Sequence, residues 1–357
     1  MINVSQPFLP PFESYEGYLK QIWERKWLTN NGPLVQELEE KLKQYLGVKH
    51  LLYVNNGTIA LQIALKALAV HGEVITTPFS YVATTNSILW EGSIPVFADV
   101  KSSDFNIDPE KITPLITDKT VAILATHVYG NPCDVDAIEK IAAKHNLKVI
   151  YDGAHAFGAN YNGKQILSYG DIATCSFHAT KVFHTIEGGA IITNDDALAA
   201  KMTLYRQFGH VGDEHFSIGI NGKSSEFHAA MGLCLLPMMD KFIAKRKLLS
   251  DLYTQLLKEL PLQWPQCLPG TKYNYSYYPI ITDTEERLLA IKSILQQHDV
   301  NTRRYFYPSL NHLPQYTGEP CPISEWASVR ALALPMYYEM EEATVEKICS
   351  IIKTCFK

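Results

Sequence analysis

From about residue 35 to residue 235 the chain alternates short strand-like runs with longer amphipathic segments, and this rhythm limits its fold more than any other feature. The runs are His50–Val54, Glu73–Thr76, Ile94–Phe97, Val121–Thr126, Val149–Tyr151, Ile172–Phe177 and Ala190–Thr193, with turn residues behind them. Val35–Tyr45 has helical spacing with Glu, Lys and Gln on its polar face, and Thr58–Val70 is an Ala/Leu-rich helix. Parallel strands need crossovers of a dozen or so residues, usually helices, which then cover both faces of the sheet. The expected fold is α/β, a three-layer and mainly parallel sheet between helices.

After Pro237 the rhythm changes. A long helix from Met238 to about Leu260 leads to a Pro/Trp-rich break at Pro261–Pro269. Beyond it come the run Tyr277–Thr282, a helix at Glu285–His298, an extended segment Asn301–Tyr307 and a final helix Glu341–Lys353. This reads as a smaller α+β domain over 237–357, following a large domain over 1–236.

Composition removes several function classes. A net charge of −5 with no long run of one sign offers no electrostatic surface for nucleic acid or for a membrane. Seven cysteines, odd in number and never in a C-x-x-C pair, argue against a disulfide framework or a zinc site and for small core residues in a reducing compartment. No signal-like apolar run follows Met1, and no stretch approaches about 18 continuous apolar residues. The expectation is a cytoplasmic protein without a metal.

In open α/β sheets, ligands lie at the carboxyl ends of strands, beside helix N-termini. Three segments belong there. Val54-Asn55-Asn56-Gly57-Thr58-Ile59-Ala60 has strand–turn–helix form. Its backbone N–H groups and positive helix end suit a phosphate, with the Thr58 hydroxyl beside them, although Asn and Thr also serve as plain helix caps. Val149-Ile150-Tyr151-Asp152-Gly153-Ala154-His155 sets a carboxylate at a strand end. Beside a pyridine nitrogen an ionised Asp152 keeps that nitrogen protonated and makes the ring an electron sink; taken alone it could equally cap a turn. His155 suits a cofactor oxygen or an ordinary buried site. Cys175-Ser176-Phe177-His178-Ala179-Thr180-Lys181, followed by Glu187-Gly188-Gly189-Ala190, brings a lysine out of a Ser/Thr-containing turn. In an enclosed cleft a lysine has a lowered pKa and forms Schiff bases, whereas a lone lysine is usually a surface charge. The combination decides between them.

Together these segments resemble the DegT family of sugar-nucleotide aminotransferases, in the aspartate aminotransferase superfamily, nearly end to end. Trp27-Leu28-Thr29-Asn30-Asn31-Gly32-Pro33 is similar to the family's W-L-T-x-G-P signature with one residue added. Asn56-Gly57-Thr58-Ile59-Ala60-Leu61 resembles N-G-T-x-A-L, and Pro78-Phe79-Ser80-Tyr81-Val82-Ala83-Thr84 resembles P-x-[ST]-[aromatic]-V-A-T. Asp152-Gly153-Ala154-His155 is similar to D-x-A-[HQ], and Ser176 to Lys181 with Glu187-Gly188-Gly189 resembles S-F-x-x-x-K followed by E-G-G. Gly219-Ile220-Asn221-Gly222-Lys223 with Ala229-Ala230 resembles G-x-N-x-R…A-A. Gly222-Lys223 departs from the common aromatic–Arg pair and Ile186 from a common Gly. Lys181 is retained where relatives that act as dehydratases carry His.

The resemblance implies the pyridoxal-phosphate (PLP) dependent transferase fold. It implies that Lys181 holds the cofactor and moves the proton, that Asp152 faces the pyridinium, that Tyr81 stacks on the ring and that His155 meets its phenolic oxygen. It places Gly57, Thr58 and Ser176 at the phosphate, with Asn221 supplied by the partner of a homodimer that shares its active sites. L-glutamate is the implied amino donor and a nucleotide sugar the acceptor, with Thr29, His178, Arg303 and Tyr307 as its expected contacts; His184 and His210 are further cleft candidates. Gln6-Pro7, the doubled Asn and Gly222-Lys223 are most similar to enzymes that aminate a dTDP-4-keto-6-deoxyhexose at C4, making an amino sugar for surface polysaccharide such as O-antigen. Amination at C3, other PLP chemistry on a related sugar, or a non-catalytic regulatory protein on the same fold remain as alternatives.

Overall fold

The strand-forming runs assemble into one seven-stranded sheet. Its strands are β1 (His50–Val54), β2 (Glu73–Thr76), β3 (Ile94–Phe97), β4 (Thr120–Thr126), β5 (Lys148–Asp152), β6 (Ile172–Ser176) and β7 (Gly189–Thr193). The computed structural model describes residues 1–316 and 318–356. The spatial order is β1-β7-β6-β5-β4-β2-β3. All pairings from β6 through β5, β4 and β2 to β3 are parallel. Only β7 runs antiparallel to its neighbours β6 and β1, so the expected mainly parallel sheet stands.

Alternate residues of these strands feed two different apolar layers, as a period of two requires. Tyr53, Ile123, Val149, Tyr151, Ala173 and Ala190 belong to one, and Leu52, Val54, Leu124, Ile150, Ile172 and Ile191 to the other. Helices α1 (Phe12–Arg25) and α2 (Pro33–Leu46) lie on the first layer, and α3 (Gly57–Ala67) on the second. With both faces covered, the strands read as continuous apolar runs rather than alternating ones. Helix α3 stops three residues short of the expected Val70. Ala69 turns into the left-handed region at φ 51°, and the Val70 N–H reaches back to the Leu65 carbonyl at 3.2 Å, closing the last turn ahead of His71-Gly72.

Besides a one-turn helix at Pro109–Ile112, this part has four longer helices: α4 (Val82–Trp90), α5 (Val135–His145), α6 (Asp196–Arg206) and α7 (Glu226–Leu235). A short 3-10 turn through Pro237 then runs into α8 (Met239–Leu257), so the expected boundary at 236/237 falls inside one helical stretch. Glu226–Leu257 has the length and apolarity of a membrane span by composition alone, but half of its most apolar window is buried in the fold. The C-terminal part pairs β8 (Tyr278–Ile281) antiparallel with β9 (Ala331–Leu334). These strands pack with α8, α9 (Glu285–Gln297) and α11 (Glu342–Lys353) around Leu249, Leu288, Ile291 and Ile348, while the short α10 (Pro322–Ser328) precedes β9.

Two sequence expectations change here. Asn301–Tyr307 is not a strand: it makes a single bridge from Arg303 to Ala333 and then turns at Tyr305-Phe306. The Phe306 ring is drawn between Phe79 and Tyr129, and the Tyr305 carbonyl accepts the Tyr129 hydroxyl; both contacts pull the chain off an extended path. The first residues leave the large sheet and join the C-terminal part. The Ile2 N–H donates to the Asp299 carbonyl at 2.7 Å and the Met336 N–H to the Val4 carbonyl at 3.1 Å. The seven cysteines are free, with Cys133, Cys175, Cys321 and Cys349 buried.

Candidate active site

Because β7 runs antiparallel, its amino end lies with the carboxyl ends of the other strands. Gly189 pairs with Val54 on one side and Ser176 on the other, and Asp152 pairs with Thr126 and Thr174. The three segments singled out above therefore meet at one edge of the sheet. They wall a cavity of about 300 Å³ whose lining includes Gly57, Thr58, Tyr81, Asp152, His155, Ser176, His178, Lys181 and Arg303.

At the β1 end, the Asn56 side chain accepts the Ile59 N–H at 2.8 Å and caps α3. The first N–H groups of a helix lack intrahelical acceptors, and here they open toward the cavity beside Ser176. A Cβ placed on Gly57 would meet the Ser176 Cβ at 2.9 Å, and one on Gly189 would meet the Asn56 backbone carbon at 2.6 Å. Only glycine allows these chain segments so close together.

Asp152 is buried at the end of β5. One carboxylate oxygen accepts the Thr84 hydroxyl at 2.7 Å and the other the Ala154 N–H at 3.0 Å. Burial pushes its pKa up, opposed by these two hydrogen bonds and by Lys181. The Lys181 amine is enclosed, and burial lowers its pKa against the opposing influence of Tyr305, Asp152, Cys175 and Tyr81. Burial also holds His155 well below the usual imidazole range, so it is neutral near pH 7. Its Nδ1 is buried without a partner among the described residues, while its carbonyl is fixed by Asn274 Nδ2 at 2.8 Å. At the mouth, His178 stands 3.6 Å from Glu187, and the Arg303 guanidinium lies 4.9 Å from the centre of the Tyr305 ring.

Three expected site residues are not in this wall. Asn221 is exposed, bridged to Gln207, and its carbonyl accepts the Asn55 side-chain amide at 3.3 Å. Thr29 is exposed, its carbonyl taken by Trp27 Nε1 at 2.6 Å. The Tyr307 ring is half exposed beneath the Arg304 guanidinium, 3.4 Å from its centre, beyond the turn that carries Tyr305 and Phe306 inward. His184 is buried against the Phe8 carbonyl at 3.0 Å, and His210 lies on a hairpin beside His215. Conversely, Tyr277 lines the cavity although nothing in the sequence marked it, while Tyr305 and Phe306 line it from the same aromatic run as Arg303 and Tyr307, a run that resembles the family's region near the sugar nucleotide. Thr84, in the first turn of α4 after its N-cap Tyr81, also reaches Asp152.

The residues present fit PLP. The glycine-lined helix end beside Ser176 suits its phosphate, the buried carboxylate its ring nitrogen, the unpartnered His155 Nδ1 its ring oxygen and the lowered-pKa amine its aldehyde. Such a lysine and carboxylate beside the strand ends of this sheet fit an enzyme of the PLP-dependent transferase fold. The chain belongs to the DegT/DnrJ/EryC1/StrS aminotransferase family, whose profile matches residues 13–353. It is 43% identical to an Escherichia coli dTDP-4-amino-4,6-dideoxy-D-glucose transaminase, covering 98% of each chain. It is 44% identical to the Shigella dysenteriae enzyme of that name, over 99% of this chain and 98% of the relative. Among solved structures, DesI in the presence of its TDP-sugar product superposes with a TM-score of 0.95 at 31% identity, covering 99% of this chain and 92% of that one.

Proposed function

We propose that this enzyme transfers the amino group of L-glutamate to C4 of dTDP-4-keto-6-deoxy-D-glucose, giving dTDP-4-amino-4,6-dideoxy-D-glucose and 2-oxoglutarate, with PLP as cofactor. The observation that carries the acceptor is identity above 40% along nearly the whole chain to two transaminases named for that product.

When bound, PLP supplies a protonated, conjugated ring that spreads the electron pair left when a C–H bond at the amino carbon breaks. The chain's own residues do the rest. Asp152, fixed by Thr84 and Ala154, keeps the ring nitrogen protonated. Gly57, Thr58 and Ser176 hold the phosphate and Tyr81 covers the ring. His155 is neutral and carries one N–H, so its Nδ1 can donate to the ring oxygen. Lys181 holds the cofactor through Nζ. Its amine, whose pKa burial lowers, would take the proton from the donor carbon and return it on the cofactor side. His178 and Arg303 at the mouth are placed for the polar groups of the sugar nucleotide. The two amino transfers then share one proton carrier.

Asn221 is assigned to the partner's cofactor phosphate. Supporting this, the hairpin region before it exposes Phe208, Phe216 and Ile218, apolar surface that a second copy would cover. The proposed setting is a cytoplasmic homodimer acting in deoxy-amino-sugar synthesis for surface polysaccharide such as O-antigen; the free, mostly buried cysteines suit a reducing compartment. The proposed domain division places the catalytic lysine and carboxylate in residues 1–236 and the cavity's Arg303 wall in 237–357.

The test is turnover with glutamate across dTDP-, UDP- and GDP-linked 4-keto-6-deoxyhexoses, with the product read by mass spectrometry and NMR. A 4-amino dTDP sugar is the expected product. Amine at C3, or preference for another nucleotide, would overturn the assignment, and cofactor amination without discharge by any sugar would favour the regulatory reading.

A further inference from the structure

The carboxylate of Asp152 is the end of a longer buried line. Thr84 donates its hydroxyl to Asp152 Oδ2 at 2.7 Å. Behind it, the Ser80 hydroxyl lies 2.8 Å from the Thr84 hydroxyl and 3.0 Å from that of Thr126. All three side chains are buried, with relative exposures of 2% for Ser80, 0% for Thr84 and 3% for Thr126. They come from three places: the loop after β2, the first turn of α4 and the end of β4.

The directions of these bonds follow from counting protons. A hydroxyl has one proton to give, and an ionised carboxylate can only accept. Thr84 spends its proton on Asp152, so Ser80 must donate to Thr84. Ser80 has then spent its own, so Thr126 must donate to Ser80. The three O–H dipoles point the same way, toward the negative charge, and such aligned bonds strengthen one another. With Asp152 protonated on Oδ2, the oxygen that faces Thr84, and donating there, the line would reverse and end on a Thr126 proton. Among the described residues the Thr126 hydroxyl bonds only Ser80, so that proton would be left buried without an acceptor. The line is satisfied in one direction only.

We propose that Ser80, Thr84 and Thr126 are positioning residues for the reaction, a one-way hydroxyl line that holds Asp152 ionised and fixes its plane toward the cavity. This rests on the assignment of Asp152 to the cofactor's ring nitrogen. Among the described residues, Lys181 and Cys175 interact with the carboxylate and His155 lines the same cavity; Lys181 favours the ion and burial opposes it. Without the line, the charged form would have only Ala154 and Lys181 to set against its burial.

The experiment uses the PLP-loaded enzyme and the variants Thr84→Val, Thr84→Ser, Ser80→Ala and Thr126→Val. Three quantities are read: the pH titration of the bound cofactor's visible absorbance, the rate of the glutamate half-reaction against its KM, and the thermal midpoint. Thr84→Val should lower the half-reaction rate roughly tenfold to a hundredfold, the loss expected when a hydrogen bond to a charged group is removed. KM for glutamate should hold and the absorbance titration should shift. Ser80→Ala and Thr126→Val should do the same in decreasing measure, and Thr84→Ser should restore the wild-type spectrum. A merely structural role would move the midpoint alone, so unchanged spectra in Thr84→Val and Ser80→Ala, or no rescue by Thr84→Ser, would overturn the proposal. Failure of the wild-type protein to bind PLP would overturn the cofactor assignment itself, and this inference with it. If Thr84→Val does not fold, Ser80→Ala and Thr126→Val decide the question, since they leave the Thr84–Asp152 pair in place.

Discussion

A β-carbon on Gly57 would stand 2.9 Å from the Ser176 β-carbon and 3.3 Å from its Cα. The helix end at Gly57 and the strand end at Ser176 thus share one cradle, and any side chain at residue 57 must push them apart. Gly57→Ala should weaken PLP binding by roughly tenfold to a hundredfold, the equivalent of about 1–3 kcal/mol of overpacking. Fluorescence titration of the apoprotein with PLP measures it. Affinity equal to wild type would mean that the phosphate is held elsewhere.

Lys181→Ala removes the only side-chain amine in the cavity wall among the described residues. The variant should lose the visible band of lysine-bound cofactor and covalent labelling after borohydride reduction, and its turnover should fall by more than about a thousandfold. The fold should persist, because the change deletes a buried group whose charged form burial already disfavours. A thermal midpoint near that of wild type with no covalent labelling is the expected pair of results. Full activity would end the proposed mechanism.

The parts of this site that were legible in the sequence are those whose chemistry is local. Strands β1, β2 and β3 end where their apolar runs end, and Asp152 and Lys181 lie in short motifs that carry their own turn residues. Thr84 was quoted within such a motif without a role, because its role depends on a carboxylate 68 residues later. Tyr277 reaches the cavity from the C-terminal part, and only the fold reveals that approach, whereas Tyr305 and Phe306 come with the run that holds Arg303. Asn301–Tyr307 looked extended because Thr, Tyr and Phe fit strands well; the pull of Phe79 and Tyr129 on Phe306 is invisible to local pattern.

His127 makes a separate prediction about acid stability. It is fully buried at the end of β4, stacked on Tyr151 at 4.7 Å, and its Nδ1 accepts the Cys133 N–H at 3.0 Å. Burial lowers its pKa from 6.5 to about 3. As pH falls below 6.5 the unfolded chain takes up this proton and the folded chain does not, so stability is full above that pH and drains away down to about 3. Asp104 acts oppositely: burial raises it to about 6, so between its ordinary 3.8 and 6 the fold keeps a proton that the unfolded chain has lost. The difference between variants therefore isolates the histidine. His127→Gln, whose amide oxygen can still accept the Cys133 N–H, should be less stable at pH 7.5 by about 1–3 kcal/mol. Its stability should fall less steeply below pH 6, by up to about 1.4 kcal/mol per pH unit. Urea unfolding from pH 7.5 to 4.5 measures both; parallel curves would mean that the folded protein protonates His127.

The exposed position of Asn221, outside the cavity of its own chain, leads to a mixing experiment. If the partner supplies this residue, Lys181→Ala and Asn221→Ala each damage both sites of their own homodimers. In a mixed dimer, one site combines Lys181 of the Asn221→Ala chain with Asn221 of the Lys181→Ala chain and is intact; the other site carries both lesions. Equal mixing with random exchange makes half the dimers mixed, each with one good site of two, so about a quarter of wild-type sites should reappear. Separate preparations, unfolded together and refolded, should regain activity toward that fraction, while each variant refolded alone should not. A pair that gains nothing on mixing places Asn221 outside the partner's site. In that case Phe208, Phe216 and Ile218 need another explanation for their exposure, because the shared site is what accounts for apolar side chains in a segment that also carries a polar cofactor contact.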